Sequence, residues 1–391
     1  MISFEQALHF MESSINTMPE ERIPFTQSLN RVIAQEVIAD ADMPPFNKSA
    51  MDGYACQKAD LENELEIIEE IPAGKFPVKQ ISPGKCARIM TGAMVPEGAD
   101  MVLMKEHVVE KEPGRIIRIT EITGNNICYQ AEDVQAGEVL ITRGTRLSPA
   151  HLAILSAVGC TEPMVFTTPQ VAVISTGSEL VEPWQKPEIG RIRNSNGYQL
   201  VAQVSQTGLS SSYLGIARDE KSSLLAMLSD ASERFELVLV SGGVSVGDYD
   251  YVPAVIRELD MDIIFQGMNV KPGKHLLLAK KDKCIVVGMP GNPVSSFVLF
   301  EVFVKPLLNR LMGCTSRPVM LNIPLEDNYN RKKQDTLFFL PVDISDQGNA
   351  RLLEYHGSAD IRSYMLAKGI MEVPVGVNEI KRGDKVHVRP L

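Results

Sequence analysis

Four short segments of the chain gather the residue types that grip an anion. They are Ser175-Thr176-Gly177-Ser178-Glu179, Ser241-Gly242-Gly243-Val244-Ser245-Val246-Gly247-Asp248-Tyr249-Asp250-Tyr251, Lys271-Pro272-Gly273-Lys274 and Gly288-Met289-Pro290-Gly291-Asn292-Pro293. Glycines let the backbone come close to a ligand, while hydroxyls and free N–H groups donate to phosphate or oxyanion oxygens. The second segment is the most informative, because Ser241, Gly242, Gly243, Ser245 and Gly247 run straight into Asp248 and Asp250. Phosphate beside carboxylate usually implies a divalent cation between them. Neither a GxxxxGK(S/T) run nor a GxGxxG run occurs, which argues against a P-loop NTPase or a dinucleotide dehydrogenase. Turns and helix caps alone would also use these residues, but four such loops in one domain weigh against that reading.

Lys271 and Lys274 hold two ammonium groups on one constrained turn, able to bind phosphate or a molybdate-like oxyanion as point charges. The same spacing also suits plain solvated surface. Gly291-Asn292-Pro293 opens a helix whose free N–H groups favour an anion, or are simply capped. Upstream, the proline-stiffened run Pro44-Pro45-Phe46-Asn47-Lys48-Ser49-Ala50-Met51-Asp52-Gly53-Tyr54 presents Ser49 and Asp52. Asp52 could be a general base, a metal ligand or a turn former. Thr91, in Arg88-Ile89-Met90-Thr91-Gly92-Ala93, and Asp133, in Glu132-Asp133-Val134, complete the polar candidates, with turn roles open to each.

In an open parallel sheet, ligands bind beyond the carboxyl ends of the strands, so these loops call for strands in front of them. Between residues 169 and 315 the required rhythm is present. Apolar runs Val171–Ser175, Leu237–Ser241 and Cys284–Gly288 alternate with helical stretches Gln199–Gln206, Ser222–Phe235 and Pro253–Leu259, which predicts a central doubly wound, mainly parallel α/β sheet domain. Asn292-Pro293 then opens a long helix to Leu311 that is apolar on nearly every side, with Pro306 as a kink. Residues 45–135 read as an inserted, mainly β domain, and 316–391 as a small terminal β domain. Ser3 with Gln6 caps an amphipathic helix bearing Phe4, Ala7, Leu8, Met11 and Ile15, and Ser148-Pro149 starts another that Gly159 closes. If these helical pieces pack together, residues 1–44 and 136–168 form one split N-terminal helical domain.

The chain has 391 residues, 44% hydrophobic and 23% charged, enough for several ordinary cores and unlike a disordered chain. With 39 Lys plus Arg against 49 Asp plus Glu, the formal net charge is −10. A general attraction to nucleic acid is therefore missing, and no nucleic acid partner is expected. An anionic ligand needs a local cationic site instead. No apolar stretch of about 18 residues suggests a membrane span, and no basic leader is seen, so the chain reads as cytoplasmic. Six cysteines and six histidines form no CxxC, HxxxH or HxH pair, which points to reduced, mostly buried thiols rather than a zinc or iron–sulfur site.

In this order, SAMDGYA, RIMTGAMVPEGAD, STGSEL, SGGVSVGDYDY, KPGK and GMPGNPVS resemble the molybdopterin molybdenumtransferase family, MoeA and the matching domain of gephyrin. The resemblance implies a split helical domain, an inserted β domain, a central molybdopterin-binding α/β domain and a C-terminal β-barrel. It also implies the reaction: adenylylated molybdopterin is bound, molybdate is inserted, and AMP is released, with magnesium as the metal. The family plan is a homodimer whose active site is shared between subunits, so that Asp52 and Thr91 act in trans to Asp250. By motif, Asp52, Thr91, Asp133, Glu179, Asp250, Lys271, Lys274, Pro290, Pro293 and Ser358 fall on the family's functional positions. Glu179, Asp248 and Asp250 would then hold Mg²⁺ against the pyrophosphate. The upstream molybdopterin adenylyltransferase and acceptor molybdoenzymes are the implied partners.

Three positions depart from the common pattern: Asn47-Lys48 before SAMDGY, His275 after KPGK, and Ala131 before Glu132-Asp133. Lys48 is expected to add charge near Asp52, and His275 to titrate beside the anion site. Two rival functions are a molybdopterin adenylyltransferase and a non-catalytic, gephyrin-like scaffold. The SAMDGY and RIMTG segments favour the transferase over the first, and the carboxylates Asp52, Glu179 and Asp250 favour catalysis over the second.

Overall fold

The computed structural model describes residues 1–391 except 122, 123, 219, 246, 248 and 249. The chain divides into two compact units. One comprises Met1–Ala34, Arg143–Ser148 and Pro163–Leu391, and the other Gln35–Thr142 and Pro149–Glu162. No helix among the described residues is long and apolar enough to cross a membrane.

The larger unit is built on a six-stranded sheet of β1 (Val171–Thr176), β2 (Ser211–Ala217), β3 (Leu237–Ser241), β4 (Asp262–Gln266), β5 (Leu277–Lys281) and β6 (Cys284–Met289). Its spatial order is 2-1-3-6-5-4. Strands β2, β1, β3 and β6 pair in parallel, and β5 and β4 close the far edge antiparallel. Both faces of β1 must be apolar because helices cover both. Val171 and Val173 pack with Leu200 and Val204 of α1 (Asn196–Gln206) and Val294 and Val298 of α4 (Pro293–Leu299). Ala172 and Ile174 pack with Leu224 and Leu228 of α2 (Lys221–Arg234) and Val252 and Val255 of α3 (Val252–Glu258). Each such aliphatic side chain contributes about 1.5–3 kcal/mol on burial, and continuous apolar strands are what a doubly covered sheet demands. The connection from β1 runs to one side and that from β3 to the other, so the order reverses between them. That reversal opens a crevice at their carboxyl ends.

The long helix after β6, whose all-round apolarity suits either a central place or a subunit interface, is central. It is continuous but changes pitch, with α4 followed by a π-helical turn, Phe300–Val304, and then Lys305–Leu311. Pro306 offers no N–H and crowds the carbonyl four residues back, so a wider turn absorbs the misfit. The N-terminal helix Phe4–Ser14 begins with the reciprocal Ser3/Gln6 capping box and buries Phe4, Ala7 and Met11 against the same core.

A second six-stranded sheet in this unit runs Val270–Lys271, Leu337–Ile344, Gly369–Val373, Lys385–Pro390 and Leu321–Pro324, with Ala350–Leu352 branching from the second strand. The parallel pairing of Val270–Lys271 with Leu337 and Phe338 ties the lysine turn to this sheet. The other unit carries its own six-stranded sheet, ordered Met101–Met104, Gly53–Cys56, Lys85–Ile89, Leu65–Ile71, Arg115–Arg118 and Val108–Glu112. The helix Pro149–Ala157 lies in this second unit.

Candidate functional site

The crevice between β1 and β3 is a cleft of about 420 Å³ lined by Thr176, Gly177, Glu179, Ser241, Gly242, Gly243, Gly247, Asp250, Gly291 and Pro293. Three of the four sequence-predicted loops therefore converge, because β1, β3 and β6 are parallel neighbours that end on one side. Gly242 cannot be replaced without cost: its φ is +101° and a Cβ would lie 2.4 Å from the Thr176 carbonyl oxygen. Its N–H donates to Met289 O at 2.9 Å, fixing the β3 loop against the end of β6. Asp250 turns its carboxylate back over its own loop, accepting from Gly247 N at 2.7 Å. Glu179 does likewise, since a Cβ at Gly177 would lie 2.6 Å from Glu179 Oε2. Ser175 lies beneath the cleft in β1, and Ser245 is half-buried in the β3 loop. Asp248 falls outside the described residues. Among those described, no group of three or more His, Cys, Asp or Glu is placed to hold a metal ion.

Sequence reasoning missed Arg193, Asn194, Ser195 and Asn196, which line the same cleft at the entry to α1. The run Asn-Ser-Asn ahead of an amphipathic helix was the available signal. Asn196 is 7% exposed, and its amide donates to Ser241 Oγ at 2.9 Å and Gly291 O at 2.8 Å. One side chain thus clamps the β3 and β6 loops together. Its own Oδ1 meets no hydrogen-bond partner among the described residues.

The fourth loop opens on a different cavity. Lys271, Lys274, His275, Pro290, Asn292 and Ser358 line about 680 Å³ together with Arg331, Lys332 and Lys333 from the C-terminal sheet region. Lys271 Nζ lies 4.9 Å and the Arg331 guanidinium carbon 4.5 Å from the Phe338 ring centroid, so one aromatic ring gathers two cations. Ser358 is held by its carbonyl, which accepts from Val294 N at 3.0 Å. The triplet Arg331-Lys332-Lys333, in a chain of net charge −10, was a legible signal that went unread. The Gly288–Pro293 loop borders both spaces, with Gly291 and Pro293 on the first and Pro290 and Asn292 on the second.

Asp52, Thr91 and Asp133 belong to the other unit. Gly53 pairs with Ile89 on one side and Met104 on the other, which carries Asp52, Thr91 and Lys105 past the strand ends together. Gly53 is obligatory there, as a Cβ would lie 1.8 Å from Leu103 O. Asp52 Oδ1 accepts from Thr91 N and Thr91 Oγ1, both at 2.8 Å, and Oδ2 lies 3.8 Å from Lys105 Nζ. The Thr91 N–H first, then its hydroxyl, and then Lys105 hold the Asp52 carboxyl below the usual carboxylate range. The cation beside Asp52 is therefore Lys105. Lys48, the expected one, pairs with Cys128 across two short strands and acts on that thiol instead. Asp133 is exposed, with its N–H donating to Met43 O, and no described hydrogen bond or ion pair joins it to Asp52.

All six cysteines are free. Burial pushes Cys56, Cys86 and Cys284 up to about 12.

A family model described as the MoeA N-terminal region (domain I and II) matches residues 2–159, and one described as a probable molybdopterin binding domain matches 172–310. A molybdopterin molybdenumtransferase of Staphylococcus epidermidis strain ATCC 35984 is 32% identical across 99% of this chain and 95% of its own. That of Staphylococcus aureus strain MRSA252 is 30% identical over the same shares. The crystal structure of the molybdopterin biosynthesis moeA protein from Pyrococcus horikoshii OT3 superposes with a TM-score of 0.84 at 29% identity, covering 100% of both chains.

Proposed function

The chain belongs to the molybdopterin molybdenumtransferase (MoeA) family, its reaction is transfer of molybdenum to molybdopterin, and we propose that the transfer proceeds on adenylylated molybdopterin with release of AMP. One observation carries the finer reading: a single loop, Gly288–Pro293, borders both a cleft lined by carboxylates and glycines and a cavity lined by lysines and arginine. The first suits a phosphoanhydride and the second a tetrahedral dianion such as molybdate, so two reacting anions are held apart yet on one hinge of backbone.

Thr176, Ser241 and the N–H groups of the glycine loops bind and orient the phosphates. Lys271, Lys274, Arg331 and Ser358 hold molybdate. An oxygen of molybdate adds to phosphorus of the AMP moiety as the anhydride P–O bond breaks, and the Mo–O bond to that oxygen breaks as molybdopterin takes the molybdenum. AMP thus leaves with the new oxygen and the pterin keeps its own phosphate. If water attacks instead, the oxygen that molybdate gives up on entering the pterin leaves as water with the pterin's protons. Mg²⁺ usually binds through one or two carboxylates and keeps phosphate oxygens and waters for its remaining positions. Glu179 and Asp250 on one cleft fit that pattern, and the ion they would hold neutralises charge on the phosphates.

The test is AMP release from adenylylated molybdopterin in Mg²⁺, with and without molybdate. Molybdate-dependent release with metal appearing in the pterin is expected, whereas nucleotide binding with no release under any oxyanion would make the chain a carrier or scaffold. The reaction takes place in the cytoplasm, between the adenylyltransferase that supplies the substrate and the molybdoenzymes that receive the product. The homodimer implied by family resemblance adds Asp52 and Thr91 of one subunit to Glu179 and Asp250 of the other. On that plan, mixed and re-equilibrated Asp52→Asn and Asp250→Asn proteins, each inactive alone, regain about a quarter of wild-type turnover from heterodimers with one intact site. No recovery on mixing would place each site within one chain.

A further inference from the structure

The strand pair at the edge of the phosphate cleft leads into a turn that carries an uncovered aromatic side chain. Leu180–Val181 pairs with Ile192–Arg193, and Leu180, Ile192 and Arg193 line the cleft. The chain leaving Val181 turns at once through Glu182–Gln185, carrying Trp184, the sole tryptophan. Trp184 is 75% exposed and Ile192 57% exposed.

This turn is locked. Gln185 N donates to Glu182 O at 2.9 Å, Glu182 N to Gln185 Oε1 at 3.0 Å, and Arg193 Nε to Gln185 O at 3.1 Å. The Glu182 carboxylate accepts from the hydroxyls of Tyr198 and Tyr213, both at 2.9 Å. Tyr213 OH accepts in turn from Asn194 Nδ2 at 2.7 Å, and Asn194 Oδ1 accepts from Ser175 Oγ at 3.2 Å. One chain of hydrogen bonds thus runs from the floor of the cleft, Ser175 and the nearly inaccessible Asn194, to the turn that holds the indole. A large apolar ring kept in water, on a locked turn that directly follows a strand lining a ligand cleft, is a ready contact surface.

We propose that Trp184 stacks on a planar heterocycle of the adenylylated pterin while the glycine loops hold the phosphates between its two ring systems. The inference rests on the reading of this cleft as the phosphoanhydride site, and deepens it by assigning the ring contact. Stacking on an indole is tolerant of base identity, so either adenine or pterin could supply the ring. The second residue of this wall, Ile192, would lie along the ring edge as an apolar border.

With no second tryptophan, the protein's own emission, excited near 295 nm, reports this residue alone. We would measure acrylamide quenching of Trp184 with no ligand, with AMP, with a free pterin, with adenylylated molybdopterin, and with ribose 5-phosphate, which has the phosphate without the base. Binding of each would be followed by calorimetry. Protection by AMP assigns adenine and protection by the free pterin assigns the pterin, while ribose 5-phosphate is expected to leave the indole open. Trp184→Ala should weaken the protecting ligand about tenfold, leave ribose 5-phosphate binding unchanged, and be largely rescued by Trp184→Phe. Binding of AMP, the free pterin and adenylylated molybdopterin with none of them shielding the indole would overturn the stacking alone. Failure of all of them to bind would overturn it together with the reading beneath it. Shielding that grows with protein concentration and needs no ligand would assign Trp184 to a contact between copies and overturn the proposal.

Discussion

The two spaces bordered by the Gly288–Pro293 loop are built from opposite chemistry. One is lined mainly by glycines, hydroxyls and two carboxylates at the parallel strand ends of a single sheet, with residues 192–196 along its edge. The other is lined by cations drawn from the sheet domain and from residues 331–338 beyond it. The first presents main-chain donors fixed by a strand ladder, and the second presents long side chains gathered on a ring. The difference teaches where precision is needed: bond making at phosphorus requires rigid donors, whereas holding an oxyanion requires mainly charge.

The strongest way to break this division is Asp250→Asn. It should lower turnover about 10²–10³-fold and leave the KM for molybdate within about twofold, the mark of a group acting on the transition state. Lys271→Ala should do the reverse, raising the molybdate KM about 10–100-fold, since hydrogen bonds to charged groups contribute about 1.5–3 kcal/mol. If both variants changed the same constant, the two spaces would be one site. Asn196→Ala is next in size. Losing two buried amide donors costs about 1–3 kcal/mol, read as a fall in Tm, and frees the loop that borders both spaces, so kcat and KM should worsen together.

Thr91→Val gives the smallest effect and lies in the other unit. Asp52 has a depressed pKa, so its charged form is favoured above the ordinary carboxylate range and its interactions are lost only as pH falls through the lower folded value. Removing the hydroxyl while keeping the Thr91 N–H should move the Asp52 pKa part of the way back towards 3.8, as followed by NMR titration. A carboxylate held below its ordinary range is a weaker base than a free one, which favours anchoring a cation or a donor.

The glycine-rich cleft was legible because its signals are local. Continuous apolar runs marked β1, β3 and β6, and loop chemistry sat directly after each. What escaped detection was the half-polar edge. β2, reading Ser-Ser-Tyr-Leu-Gly-Ile-Ala, is only partly buried and gives no unbroken apolar run, although Tyr213 within it anchors Glu182 and Asn194. Lys105 escaped for a different reason. It reaches Asp52 because the strand just before it pairs with Gly53, far away in sequence. Pairing partners are not encoded in any single window of residues.

Among the described residues neither space is lined by a cysteine, and the three buried thiols, raised to about 12, remain protonated at neutral pH. For a protein that transfers molybdenum, this amounts to sulfur hygiene. Thiolates are soft ligands well able to capture such cargo, and neither space offers it one.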